Sequence, residues 1–254
     1  VGGDSSCFVQ TRFENGKSDG GDVIGNFSFS SHQQECIQQY VTHVQANFPD
    51  YNLKERRFGG VSAPLPPEKA PILGVGFGST GTRSLEKFAR KLGLEVNHYD
   101  GLEFANLRQI MWSHCQNRHL LNDVNFSQIL VNRGADLYLD DPMGELFLDF
   151  YAASPNSKII LTTRDPEIWA ISRRMKHRIS SLPFQSPCGG YVLRNLQIKD
   201  MADLMDSHQR LVRCIVPPNQ LLDIDITHHA DTKEISQFLA GKMVDRRMPW
   251  IRDP

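Results

Sequence analysis

The sequence predicts an α/β protein built on a parallel sheet flanked by helices, and three observations predict it. From Ala70 onward, short apolar runs alternate with amphipathic stretches, the pattern of strands joined by crossover helices. The first run, Ile72 to Val75, breaks into Gly76, Gly78 and Gly81 before Ser84-Leu85-Glu86-Lys87-Phe88 opens a helix, giving strand, tight turn and helix start in succession. Lys158 to Thr162, KIILT, reads as a strand buried on both faces, as an interior strand of a parallel sheet is.

At 254 residues and 40% hydrophobic composition, the chain can bury one large core with a small appended module. Its net charge of −1 gives no general reason to bind nucleic acid or bilayers. No run approaches the length of a membrane-spanning helix and no signal peptide is present. The chain begins at Val1 rather than Met, so that lack is no evidence for a cytosolic protein.

Residues 1–67 differ from the rest. They open rich in Gly, Ser and Asp, and then carry a helical pattern from Ser31 to Asn47 through Cys36, Ile37, Tyr40, Val41 and Val44. CFVQTRF and SSHQQECIQQYVTHVQANFPDYN resemble PAN/apple-like extracellular modules, but an extension packed on the main domain is the preferred reading. Ala63-Pro64-Leu65-Pro66-Pro67 is a stiff linker, so the α/β domain is expected over 68–254. Cys7 and Cys36 could pair in an oxidising compartment, while Cys115, Cys188 and Cys214 read as buried free thiols. No cysteine or histidine spacing suggests a metal site, and His114, His119, His228 and His229 read as ordinary surface residues. The sequons at Asn26 and Asn125 are as frequent as chance allows.

Within 68–254 the elements follow in order. A helix over Thr82 to Leu92 is ended by Gly93, and Leu94 to Tyr99 is the second strand. Helical stretches cover Leu102 to Leu120 and Phe126 to Asn132, and Ala135 to Leu139 is the third strand, ended by Asp140-Asp141-Pro142. Met143, Leu146, Phe147, Phe150 and Tyr151 share one helical face and read as core. After the fourth strand come a helix from Pro166, a long helix over Leu196 to Cys214, a last strand over Leu221 to Ile226 and a helix over Thr232 to Leu239.

The glycine loop admits three readings. As a Walker A loop it has Thr82 and Arg83 where Lys and Ser/Thr belong. As a dinucleotide fingerprint, Gly76-x-Gly78-x-x-Gly81 is literal, with Asp100 at roughly the expected distance. As an oxyanion cradle, Thr80, Thr82 and Ser84 add hydroxyls to backbone N–H groups at a helix start, which suits a phosphosulfate. A second anion grip follows the fourth strand, where Arg164 precedes Ser172 by about two helical turns.

With these residues in view, the chain resembles the sulfotransferase superfamily, which uses 3'-phosphoadenosine 5'-phosphosulfate. LGVGFGSTGTRSL resembles its 5'-phosphosulfate loop and ILTTRDPEIWAISR its 3'-phosphate motif, with LDDP and SHQRLVRCIVPPNQLLDIDI as further matches. The resemblance covers about residues 70–240. It implies donor binding by Gly78, Ser79, Thr80, Gly81, Thr82, Arg83 and Ser84 at one end and by Arg164 and Ser172 at the other. It also implies a strand-end base for the acceptor hydroxyl, for which Asp140 is chosen over His98, a helix cap before Pro142 being the alternative role for Asp140. The family usually carries Lys or Arg immediately before Thr-Gly-Thr, where this chain has Ser79, and Arg83 is the nearest substitute.

The expectation is therefore a metal-independent sulfotransferase acting on a carbohydrate or small molecule. Its alternatives are a Rossmann-type NAD(P)-dependent oxidoreductase and a non-catalytic nucleotide- or glycan-binding relative, the latter favoured by Ser79. The expected compartment is the secretory pathway or Golgi lumen, with the cytoplasm as alternative, and any membrane attachment needs a segment absent from this chain. Acceptor contacts are expected from residues 101–134 and 180–200. Arg173, Arg174, Lys176, His177 and Arg178 read as a solvated helix face, with contact to a polyanionic acceptor or to the donor's phosphate as the second reading.

Overall fold

The computed structural model describes residues 27–48, 56–98, 101–113, 120–177, 196–225 and 231–243. Helix α1 (Ser31–Asn47) precedes strand β1 (Ile72–Gly74), α2 (Thr82–Lys91), β2 (Val96–His98), α3 (Leu102–Ser113), α4 (Phe126–Arg133), β3 (Leu137–Leu139) and α5 (Phe147–Ala153). Then follow β4 (Lys158–Thr163), α6 (Pro166–His177), α7 (Ile198–Ile215), β5 (Leu221–Asp225) and α8 (Thr232–Met243). The strands form one five-stranded sheet in the order β2-β3-β1-β4-β5, and every described pair is parallel. This is the expected α/β architecture.

Alternation of side chains along each strand divides the core into layers. Ile72, Leu137, Leu139, Ile160, Leu222 and Ile224 pack with Leu85 and Ala89 of α2 and Ile235 and Leu239 of α8. Leu73, Tyr138, Ile159 and Leu161 face the other way, onto Phe104 of α3, Phe126 of α4, Phe147 and Phe150 of α5, and Leu211 and Val212 of α7. A third cluster joins Val41 and Val44 of α1 to Trp169 of α6, Met205 of α7 and Phe77 of the loop after β1. Met143 and Leu146 are core residues as their spacing implied, but they sit in turns, because α5 begins only at Phe147.

The expected helix over Ser31 to Asn47 is present and starts on a capping box between Ser30 and Gln33. It lies along α7, and Gln33 Nε2 donates to the Ile215 carbonyl at 2.8 Å. Cys36 is bonded to Cys214 across this contact. That corrects two expectations: Cys36 pairs with Cys214 rather than Cys7, and Cys214 is no free thiol. Spacing could not reveal the pairing, because the partners are 178 residues apart and meet only once α1 docks on α7. His32 Nε2 lies 3.8 Å from the Cys36 sulfur and 4.0 Å from the Cys214 sulfur, both committed to the bridge. Cys7, Cys115 and Cys188 lie outside the described residues. Among the described residues no helix is long and apolar enough to cross a membrane.

Closing so long a loop restricts the unfolded chain strongly, so reduction should lower stability by about 2–4 kcal/mol. Chemical denaturation with and without reductant measures this, and Cys214→Ser should show the same loss and no further response to reductant.

Candidate active site

The site lies where β1 and β4, neighbours in the sheet, release the chain at their C-terminal ends. Strand order reverses here: the connection after β1 leads toward β2 and that after β4 toward β5, the position where open α/β sheets offer a crevice. The Val75 N–H still donates to the Ile160 carbonyl at 2.9 Å. Gly76 must then pass Thr162, where a Cβ would stand 2.0 Å from the Thr162 hydroxyl and 2.5 Å from its carbonyl. Only glycine fits that passage.

The carbonyls of the loop are held from outside. Trp169 Nε1 donates to Gly78 O at 2.9 Å, and His208 Nε2 lies 2.7 Å from Val75 O. Burial pushes the His208 imidazole down to about 4, so at neutral pH it is uncharged and must carry its hydrogen on Nε2 to serve a carbonyl. The His208 ring also stacks on Phe77 at 4.2 Å. The Thr80 hydroxyl donates to Phe77 O at 2.5 Å and lies 2.7 Å from the Thr162 hydroxyl. Thr80 N–H donates to the same Phe77 carbonyl at 3.2 Å. The expectation that the Thr80 hydroxyl lines the cradle is thereby corrected: it is fully buried and ties the loop to β4.

With these carbonyls engaged, the loop turns through left-handed backbone at Ser79 (φ 73°) and Gly81 (φ 85°) into α2. The N–H groups of Ser79, Gly81, Thr82 and Arg83 have no acceptor among the described residues, which is what a helix start leaves open. Arg83 and Ser84 are exposed on the outer side of this first turn.

At the end of β4, Arg164 is half-buried, and its Nε is buried without a hydrogen-bond partner among the described residues. Gln209 Nε2 of α7 donates to the Arg164 carbonyl at 3.2 Å. Asp165 caps α6, accepting from the Ile168 N–H at 2.8 Å, and this directs α6 back past the loop. Ser172 is half-buried on it. Arg173, read in the sequence as part of a solvated face, is instead 5% exposed. Its Nη1 donates to the Ser79 hydroxyl at 3.0 Å, and its Nη2 lies 3.7 Å from Asp141 Oδ2.

The ends of β2 and β3 bring His98 and Asp140 together, with Nε2 3.2 Å from Oδ2. Asp140 also accepts from the Thr82 hydroxyl at 3.2 Å and from the Asp141 N–H at 3.0 Å. It does not cap α5, which starts seven residues later at Phe147. His98 Nδ1 faces Glu86 Oε2 at 3.5 Å. Burial alone would push the His98 imidazole down, but Asp140 and Glu86 outweigh it and hold it above its ordinary value, against the opposing charge of Arg83. Burial would likewise raise the Asp140 carboxyl, yet His98, the Asp141 N–H and the Arg173 charge hold it below the usual carboxylate range. Ser79 and Asp140 (φ 68°) are the non-glycine residues of positive φ among those described, and such backbone persists where surroundings enforce it.

Sequence reasoning missed Trp169, His208 and Gln209, whose contribution is to grip backbone, and no local motif marks that. It put Arg173 on a solvated face first, although helical periodicity carried the opposite signal: four residues separate it from the buried Trp169, on the inward side of α6. Asp100, His114, His119, Arg178, His228 and His229 lie outside the described residues.

No curated protein matches the chain. Residues 71–187, which hold the loop after β1, the His98–Asp140 pair and the whole of β4 and α6, match the family model described as a sulfotransferase domain, and this match supports an assignment to the sulfotransferase superfamily and to an enzyme of that class.

Proposed function

We propose that the protein moves a sulfuryl group from 3'-phosphoadenosine 5'-phosphosulfate to a hydroxyl or amine of a carbohydrate or small-molecule acceptor. One observation carries this reading: N–H groups after β1 and the buried Arg164 Nε after β4, each without a partner among the described residues, lie one strand apart. Unmatched donors at two neighbouring strand ends suit a ligand with an anionic group at each end, since buried polar groups otherwise find partners. The residues fit such a donor, which when bound supplies the sulfuryl group and a phosphate leaving group.

The N–H groups of Ser79, Gly81, Thr82 and Arg83 hold the 5' end at the positive end of α2. Arg164 and Ser172 hold the 3'-phosphate. Transfer is an in-line displacement in which the bond from sulfur to the bridging oxygen breaks as one to the acceptor oxygen forms. The acceptor's proton passes to the His98–Asp140 pair. Asp140, the more exposed of the two at 16% against 9% for the side chains, meets the acceptor. The proton comes to rest on His98, whose imidazole is held up while the carboxyl is held down. Thr82 fixes the Asp140 oxygen beside the loop, so donor and base share one anchor. The Cys36–Cys214 bridge supports placement in an oxidising compartment such as the secretory lumen.

Adenosine 3',5'-bisphosphate should raise the melting temperature where NAD and NADP do not, and Arg164→Ala should abolish that shift; stabilisation by the nicotinamide dinucleotides alone rejects the donor. Transfer from radiolabelled donor, screened over sugars, phenols and amines, should fall about 10²–10⁴-fold in Asp140→Asn.

The pair accepts a proton only with His98 neutral, so the rate should rise with pH through a pKa above the ordinary histidine value. Glu86→Gln removes a carboxylate that favours imidazolium and should move this limb to lower pH; Arg83→Ala removes an opposing charge and should move it higher. Limbs that shift the same way in both variants, or not at all, would remove His98 from the proton path.

A further inference from the structure

We propose that Arg173, reaching in from α6, is the cation for the 5' end of the donor and for the charge released there during transfer. The inference rests on the donor reading above. Displacement at sulfur leaves the electron pair of the broken bond on the bridging oxygen, so negative charge grows on the 5'-phosphate as the reaction proceeds. N–H groups partly meet that charge, but from Gly76 to Thr82 the loop contains no basic side chain. Arg83, next in sequence, is exposed on the outer side of the helix start.

Arg173 is placed where the loop is not. Its Nη1 donates to the Ser79 hydroxyl at 3.0 Å, and Ser79 stands at the left-handed bend from which the cradle opens. Its charge also reaches Asp140, helping to hold that carboxyl down. The guanidinium therefore lies between the loop that takes the leaving group and the carboxylate that meets the acceptor. A residue serving only to neutralise Asp141 has no need to touch the loop. The Arg173–Asp141 separation of 3.7 Å is longer than a hydrogen bond, while the contact to Ser79 has hydrogen-bond length. Fork geometry adds a further reason: one edge of a guanidinium can hold Ser79 while another N–H meets a phosphate oxygen. Ser172 and Arg173, adjacent on α6, would then serve opposite ends of one donor.

The test needs no acceptor. Affinities for adenosine 3',5'-bisphosphate and for 3'-AMP, which lacks the 5'-phosphate, are measured by calorimetry on the same protein. In Arg173→Met the bisphosphate should bind about 10- to 100-fold more weakly, the cost of a lost charge-assisted hydrogen bond, with 3'-AMP unchanged within about twofold. Arg173→Lys keeps the charge without the fork and should fall between wild type and Arg173→Met. Because Arg173→Met leaves Asp141 buried opposite a neutral group, Asp141→Asn with Arg173→Met removes both charges and serves if the single variant fails to fold; it should show the same selective loss. Ser79→Lys in that background should recover part of the bisphosphate affinity, which a purely structural arginine would not allow. Equal losses for both ligands, or bisphosphate affinity within threefold of wild type in the double variant, overturn the assignment of Arg173 alone. A wild-type protein that binds neither ligand overturns the donor reading and this inference with it.

Discussion

The seam between the ends of β1 and β4 decides the shape of everything around it. Gly76 passes against Thr162 with no room for a side chain, and the Thr80 hydroxyl closes the gap by meeting the Thr162 hydroxyl at 2.7 Å. Once that seam is shut, the loop cannot lie flat on the sheet and its carbonyls turn outward, where Trp169 and His208 hold them. A peptide unit whose carbonyl is tied on one side presents its N–H on the other. The Ser79 N–H is turned out in this way by the hold on the Gly78 carbonyl, and those of Gly81, Thr82 and Arg83 are left open by the start of α2. His208 can do this only uncharged, and burial ensures that it is at any pH well above 4.

From the seam outward, acidic and basic side chains alternate: Glu86, His98, Asp140, Arg173, Asp141. Two adjacent carboxylates left alone would oppose the approach of any anion. Here Asp140 faces His98 and Asp141 faces Arg173, so each carboxylate has a basic side chain beside it. The left-handed backbone at Ser79 and Asp140 is the geometric side of the same arrangement. Each such residue costs on the order of 1–3 kcal/mol, which a site that over-determines its backbone can hold.

Much of this was legible in the sequence, and the boundary of legibility is physical. The strands were legible because a parallel sheet buries both faces, and the glycine loop because a tight turn against a neighbouring strand excludes side chains. That β1 and β4 should lie in one parallel sheet was also legible, and the loop and Arg164 follow from these two neighbouring strands on the same edge. What escaped depends on docking of distant elements. The Cys36–Cys214 bridge exists because α1 lies on α7. Thr80 reads as a ligand donor until the closeness of Thr162 is known, and Arg173 reads as one more cation in a basic run until α6 is rotated onto the sheet.

That rotation is the last step in building the site, and it is set at the first turn of α6. Asp165 accepts the Ile168 N–H and Pro166 stands at the helix start, so the helix leaves β4 in a fixed direction. Trp169, fully buried, then fastens the helix to Gly78, and one turn later Arg173 meets Ser79. Because these contacts lie along one rigid element, the distance between the Arg164 end and the Ser79 end is fixed by helix pitch. Gln209 and His208, neighbours on α7, repeat the linkage from behind by holding the carbonyls of Arg164 and Val75. Two helices therefore brace the same span independently, and the ends of β1 and β4 are held at one separation before anything binds.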